Sequence, residues 1–213
     1  FWDMGAFSSI MFDASKLPLE ENIRLTQLFV QQQGGSIVVE GACDEIVDAT
    51  GSVKSELTTA ERAEEYVNRT GVDLIVANLG TEHRASGKDL KYYGDYARKI
   101  KEKIGNKIVL HGASSVPVDQ IADLMEDGVC KVNLWTALER DAVPALLRSM
   151  VENASKVAGS KLVQQLKDEG WLGSRCTVDV KASLGFFTTT YRQDIIFEEM
   201  KKIVNTYLEL WYR

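Results

Sequence analysis

Cysteine is scarce and poorly placed for cross-linking: the 213-residue chain has only Cys43, Cys130 and Cys176. An odd number at wide spacing makes neither a CxxC pair nor a disulfide framework, which points to reduced thiols and a cytoplasmic location. No apolar run approaches the roughly 20 residues that a membrane span needs. The opening Phe1-Trp2-Asp3-Met4 lacks the basic region of a secretory signal. It also lacks an initiating methionine, so further sequence is expected upstream of Phe1. Positive charge is not in excess either: 25 Lys and Arg stand against 31 Asp and Glu, a net charge of −6. That balance argues against a nucleic-acid partner and still allows a small anion held by local donors. Histidine occurs twice, as His83 and His111.

What is present is an alternation of short apolar runs with amphipathic stretches. Strands are expected at Ser8–Phe12, Ser36–Glu40, Val72–Leu79, Lys107–Leu110 and Lys131–Leu134. Helices are expected at Leu19–Gln33, Thr59–Arg69, Leu90–Ile104 and Val118–Glu126. Thr58 and Glu61 read as a capping box, and Gly34-Gly35, Gly71 and Gly128 as stops. The strands are continuous β-branched runs, the pattern of parallel strands covered on both faces, and the units recur about every 25–35 residues, the βαβ rhythm. Beyond Asn133 the expectation is helical: Ala137–Val157 with a restart at Pro144 capped by Asp141, Lys161–Glu169, a loop from Trp171 to Thr190, and a terminal helix Ile195–Tyr212. The apolar stripe of that last helix suits core or a subunit interface. The whole reads as a single domain, 1–213, with a helical extension from about 138. Five parallel strands cannot close an eight-stranded barrel, so the chain is either an open doubly wound sheet or a barrel lacking three strands.

His83 and His111 each follow a predicted strand, and the carboxyl ends of parallel strands are where α/β sites are built. Two imidazoles on neighbouring strand ends are able to share a metal ion, or each simply hydrogen-bonds near its loop. His111-Gly112-Ala113-Ser114-Ser115 is a small polar loop that offers backbone N–H groups and hydroxyls to an anion. Asn133 and Thr136 close the next strand, so the last two strand ends form a candidate phosphate site, unless Gly112 is a plain turn and Asn133 a cap. Asp13 and Glu40 end the first two strands as candidate acid/base groups, metal ligands or structural partners. Asp44, Glu45 and Asp48 read as a solvated loop or a mobile lid.

These residues resemble a known family. Ser9-Ile10-Met11-Phe12-Asp13-Ala14-Ser15-Lys16-Leu17-Pro18 through Asn22 looks like the S-V-M-I-D-G-S-H-L-P-F-E-E-N segment of the zinc-dependent class II ketose-bisphosphate aldolases. Arg69 to Asp73 resembles R-T-G-V-D, Gly80 to His83 resembles G-T-x-H, Leu110 to Pro117 resembles L-H-G-G-S-G-V-P, and Cys130 to Thr136 resembles C-K-I-N-x-x-T. The matches are colinear over roughly residues 8–140. The resemblance implies a TIM (β/α)8 barrel, with this chain covering strands 4 to 8 plus C-terminal helices. It implies a lyase of carbohydrate metabolism or glycolysis acting on a fructose- or tagatose-bisphosphate-like sugar, which it cleaves to dihydroxyacetone phosphate and an aldehyde. The implied cofactor is Zn2+, on His83 and His111, and a monovalent cation stays open. Zinc polarises the ketose carbonyl and stabilises the enediolate. Gly112, Ser114 and Thr136 would hold phosphate and Asn133 the reacting end, while the acid/base Asp is expected upstream of residue 1. The implied partners are a small phosphorylated sugar and further copies of the chain, with no nucleic acid and no membrane.

The departures from the pattern are specific. Lys16 replaces a His, Arg84 and Ala113 replace glycines, Ser115 replaces another, and Ala42 and Ala137 stand where carboxylates are usual. Arg84 is a candidate ligand for a different phosphate or carboxylate, or a rim salt bridge. Such changes keep open a non-catalytic aldolase-like subunit or a divergent sugar-phosphate-binding protein.

Overall fold

The computed structural model describes residues 7–33, 35–46, 56–82 and 91–212. Five strands, β1 (Ser9–Phe12), β2 (Val38–Ala42), β3 (Leu74–Val76), β4 (Ile108–Leu110) and β5 (Val129–Val132), form one sheet in chain order. Every neighbouring pair is parallel. Ile75, Ile108, Val109 and Leu110 are fully buried, as expected when apolar runs are covered on both faces. An α/β fold with a parallel sheet is therefore what the apolar runs build.

Helix α1 (Leu19–Gln33) starts after Pro18, whose carbonyl accepts the Glu21 and Asn22 N–H groups, and buries Asn22, Ile23, Thr26 and Phe29. Helix α2 (Ala60–Thr70) is capped by Thr59, whose hydroxyl accepts the Arg62 N–H at 3.2 Å. Gly71 closes it in the left-handed conformation, φ 74°. The expected Thr58 cap is corrected: Thr58 is buried, accepts the Asn78 N–H at 2.7 Å and donates to Asp44 at 2.7 Å. Arg62 binds the other Asp44 oxygen at 2.9 Å, so Asp44 ties two loops together rather than standing solvated. Helix α3 spans Gly94–Ile104. The segment Val118–Asp123 is a 3-10 helix where an α-helix was expected.

Two strands are displaced from their expected places. β2 and β5 run Val38–Ala42 and Val129–Val132, against expectations of Ser36–Glu40 and Lys131–Leu134. Glu40 thus lies inside its strand, and Asn133 just beyond its own. Gly41 in β2 meets a tight neighbourhood: a Cβ there would lie 2.8 Å from Val72 Cγ1 and 2.9 Å from Tyr66 Oη. Gly41→Ala is therefore expected to lower stability by about 1–3 kcal/mol through overpacking, read as a lower unfolding midpoint. An unchanged midpoint would mean that Tyr66 and Val72 move aside freely.

The chain divides into two compact units, residues 1–136 with 209–213, and residues 137–208. The helices after β5 are α4 (Thr136–Glu152), α5 (Ala154–Ala158), α6 (Ser160–Asp168), α7 (Leu184–Phe187) and α8 (Thr189–Trp211). α4 runs through Pro144 without a restart, and Asp141 is an ion-pair partner of Arg140 at 2.6 Å instead of a cap. The expected loop from Trp171 contains α7, and α8 begins six residues before its expected start. No residue of α8 is fully buried; its apolar stripe is half-buried. Among the described residues no helix is long and apolar enough to cross a membrane.

Candidate functional site

The carboxyl ends of all five strands contribute to one cavity of about 530 Å³. Asp13 and Lys16 enter it after β1, Ala42 and Asp44 at the end of β2, and Val76 from β3. His111, Gly112 and Ser114 follow β4, and Asn133, Trp135 and Thr136 follow β5.

Glu40 anchors the site from within the sheet. Its side chain is 1% exposed, and both carboxylate oxygens are engaged. One lies 2.8 Å from His111 Nε2 and the other accepts from Lys131 Nζ at 2.6 Å. Asn133 Nδ2 lies 2.7 Å from His111 Nε2 and 3.4 Å from the same Glu40 oxygen as the imidazole. Burial alone would raise the Glu40 carboxyl. The hydrogen bonds from His111 and Lys131, with their charges, outweigh it and hold the group below the usual carboxylate range. A buried anion persists only when paired and hydrogen-bonded, and here both conditions hold.

A register shift brings Lys131 to that carboxylate. β4 and β5 pair Ile108 with Val129 but Val109 with Lys131, so Cys130 is passed over. Pairing also aligns Ala42 with Val76 and Val76 with Val109. Lys131 therefore joins the face that carries Ala42 and, two residues before it, Glu40. Without the shift, alternation would turn Lys131 to the opposite face.

The loop after β4 is built by Gly112, which takes φ 67° and opens a 3-10 turn over Ala113–Ser115. Ser115 is structural: its hydroxyl donates to the Gly112 carbonyl at 2.7 Å and accepts the Glu82 N–H at 2.9 Å. Thr81 donates to the His111 carbonyl at 2.7 Å and so holds the start of the loop. Ser114 differs from both, since its hydroxyl is buried on the cavity wall and has no hydrogen-bond partner among the described residues. A desolvated hydroxyl of that kind costs free energy unless a ligand or water satisfies it. Asn133 is placed beside His111 because its N–H bonds the Leu110 carbonyl at 3.0 Å.

Of the residues singled out from sequence, Asp13, His111, Gly112, Ser114, Asn133 and Thr136 line one cavity, and Glu40 binds His111. His83 and Arg84 lie outside the described residues. Asp13 accepts the Ser15 N–H at 2.9 Å, while Lys16 pairs with Glu45 at 3.7 Å, not with Asp13. Lys131 was missed, although its spacing of two from Asn133 on a predicted strand was the available signal.

Comparison with known proteins now adds to this geometry. The family profile described as fructose-bisphosphate aldolase class-II matches residues 3–185. The chain belongs to that family. A fructose-bisphosphate aldolase of Giardia intestinalis is 30% identical over 186 residues, covering 72% of this chain and 56% of the relative. A D-tagatose-1,6-bisphosphate aldolase subunit of Klebsiella oxytoca is 34% identical over 151 residues, 68% of this chain and 53% of the relative. The chain thus spans a little more than half the length of these curated aldolases. Among solved structures, the fructose-bisphosphate aldolase of Campylobacter jejuni superposes with a TM-score of 0.70 at 19% identity, covering 97% of this chain and 61% of that one. The YdjI aldolase of Escherichia coli K12 gives 0.65 at 21% identity, with 96% and 61% covered. At those identities the likeness is one of fold, and these neighbours are of the TIM-barrel type.

The donor chemistry around His111 suits a class II aldolase metal site. A metal-ligating imidazole characteristically gives its other ring nitrogen to a carboxylate, and buried Glu40 stands in that position. Among the described residues no group of three or more His, Cys, Asp or Glu is gathered to hold an ion.

Proposed function

We propose that the chain is the strand-4-to-8 portion of a (β/α)8 barrel and that its protein is a metal-dependent aldolase. The reaction is cleavage or formation of a C–C bond in a phosphorylated ketose, giving dihydroxyacetone phosphate and an aldehyde. The observation that carries this reading is His111, fixed by buried Glu40 beside the unsatisfied Ser114 hydroxyl on the Gly112 turn. An imidazole and an anion cradle on adjacent residues suit a substrate with a phosphate next to its reacting carbonyl.

In this reading His111 would hold Zn2+, with His83 as the second ligand on sequence grounds. The metal, when bound, supplies Lewis-acid polarisation of the ketose carbonyl. Ser114 and the N–H groups after Gly112 receive the phosphate, and Thr136 adds a hydroxyl. Asn133 orients the substrate oxygen nearest His111. Glu40 and Lys131 touch no substrate; they keep the imidazole in one tautomer and one orientation. No residue of 1–213 is assigned as the acid/base. A cytoplasmic homo-oligomer of one-domain subunits completes the proposal.

The test is zinc content of the purified protein before and after EDTA, with cleavage of fructose 1,6-bisphosphate followed in parallel. About one tightly bound zinc per chain is expected, with cleavage lost on chelation and restored by zinc, and both lost in His111→Ala. A second reading, a non-catalytic subunit or sugar-phosphate binder, is favoured by one observation: the cavity wall carries the Ala42 methyl where the family usually has a carboxylate. It predicts sugar-phosphate binding that is indifferent to chelation, with no cleavage.

A further inference from the structure

A second cavity, of about 310 Å³, is lined by the start of α3 and by the 3-10 helix Val118–Asp123. It shares no lining residue with the cavity at the strand ends. Its floor is fully paired. Asp127, with its side chain 2% exposed, accepts from the Tyr92 hydroxyl at 2.8 Å and from Arg98 at 2.5 Å. Arg98 also binds Asp95. Gly94 leaves room for this arrangement, since a Cβ there would lie 2.6 Å from Asp127 Oδ2.

The walls, by contrast, carry acceptors with nothing to accept. Gln120 Oε1 is buried and has no hydrogen-bond partner among the described residues. A desolvated carbonyl oxygen costs free energy until a donor reaches it. Asp123 lies three residues further along the same 3-10 helix, and its carboxylate has no hydrogen-bonded or ion-paired partner among the described residues. Three carboxylates line the cavity against one guanidinium, so the local field favours a cation.

The rim is aromatic. The Tyr93 and Tyr96 rings stand 6.1 Å apart at 68° to one another, and both residues are exposed. Tyr93 is held in place: its N–H bonds the Leu79 carbonyl at 2.9 Å, and a Cβ on Gly80 would lie 2.4 Å from its ring. Tyrosine faces attract cations within about 6 Å, and Lys99 Nζ stands 5.5 Å from the Tyr96 centroid. A planar cation with several N–H donors suits rings, carbonyl oxygen and carboxylate together. An ammonium is a compact, strongly hydrated point charge, whereas a guanidinium stacks on aromatic faces and presents its donors as a fork.

We propose that this cavity is a binding site for a guanidinium group, carried by a small molecule or by an arginine side chain of a polypeptide. Its N–H groups donate to Gln120 Oε1 and to the Asp123 carboxylate, and its plane lies against Tyr93 and Tyr96. The site is independent of the aldolase reading.

The experiment titrates butylguanidinium into the whole chain by calorimetry. Saturable binding is expected with a Kd of about 1 mM, the range for a ligand of so few atoms. N-butylurea keeps the shape without the charge, and tetramethylammonium keeps the charge without N–H donors. Each should bind at least about tenfold more weakly. Asp123→Asn and Tyr96→Ala should each weaken butylguanidinium about tenfold, and Gln120→Glu should tighten it about tenfold. A glutamine with only a structural role would not give that gain. Unfolding midpoints check that the variants are folded, and Asp123→Asn, an isosteric change at an exposed residue, keeps the test decisive if Tyr96→Ala is not. A blocked arginine tripeptide that binds as tightly as butylguanidinium identifies an arginine side chain as the source, and at least about tenfold weaker binding identifies a small molecule. No saturable binding of butylguanidinium, equal binding of N-butylurea, or unchanged binding in Asp123→Asn overturns the proposal. None of these results bears on zinc content or cleavage, so the aldolase reading is tested separately.

Discussion

Glu40→Ala is expected to destabilise the protein by about 2–4 kcal/mol and, on the proposed reading in which His111 is a metal ligand, to weaken zinc binding. Breaking a buried ion pair by removing one partner costs about 3–5 kcal/mol, because the other charge is left without compensation. The lower figure applies here because Lys131 retains some solvent, with its side chain 37% exposed against 1% for Glu40. His111 loses its orienting acceptor at the same time. Removal of such a partner commonly lowers metal affinity about 10–100-fold. Glu40→Gln separates the two effects, since the amide keeps the shape and one hydrogen bond but not the charge. It should cost about 1–3 kcal/mol and still weaken zinc. Denaturant midpoints and zinc competition titrations measure the two quantities. If Glu40→Ala stays within about 0.5 kcal/mol of wild type, the range of an inconsequential surface change, the carboxylate is not the anchor described.

Gly112→Ala is the second large effect. Gly112 sits at φ 67°, where a side chain costs roughly 1–2 kcal/mol. A Cβ there would also lie 2.7 Å from the Glu82 carbonyl oxygen and 2.9 Å from its carbon. Those are backbone atoms, which cannot swing aside as the end of a side chain can. The turn must therefore shift, and Ser114 and Ser115 shift with it. A total loss of about 2–4 kcal/mol is expected, together with at least tenfold weaker binding of the triose phosphate. Gly35 is the control: its φ is 72° but nothing lies within 4 Å of a Cβ. Gly35→Ala should show the conformational cost alone, about 1–2 kcal/mol, with ligand binding intact. Equal effects at Gly35 and Gly112 would mean that contact with Glu82 does not matter.

Much of this was legible before any coordinates. The bounds of α1 follow from Pro18 before it, the helical spacing of its apolar residues and the glycines after it, all local features. Five β-branched runs separated by amphipathic stretches announce a parallel sheet, and its strands do pair in chain order. His111, Gly112, Ser114, Asn133 and Thr136 could be marked because sites in such folds form at strand ends. Signals with two outlets were misread. Thr58 and Thr59 are both good caps, and the choice was made by the buried Asp44 and Asn78 contacts of Thr58. Pro144 can start a helix or be carried inside one, and α4 carries it.

The residues by themselves determined which segments are strands and helices and which small polar loop follows β4, since those properties depend on neighbours a few positions apart. They did not determine what Glu40 does. Its partner Lys131 is 91 positions away, and the meeting requires a four-strand alignment and a one-residue register shift at Cys130. Side chains alternate faces along a strand, so a single slip reverses every one of them. The register of the assembled sheet, which no local pattern encodes, decided that a lysine and an imidazole converge on one buried carboxylate.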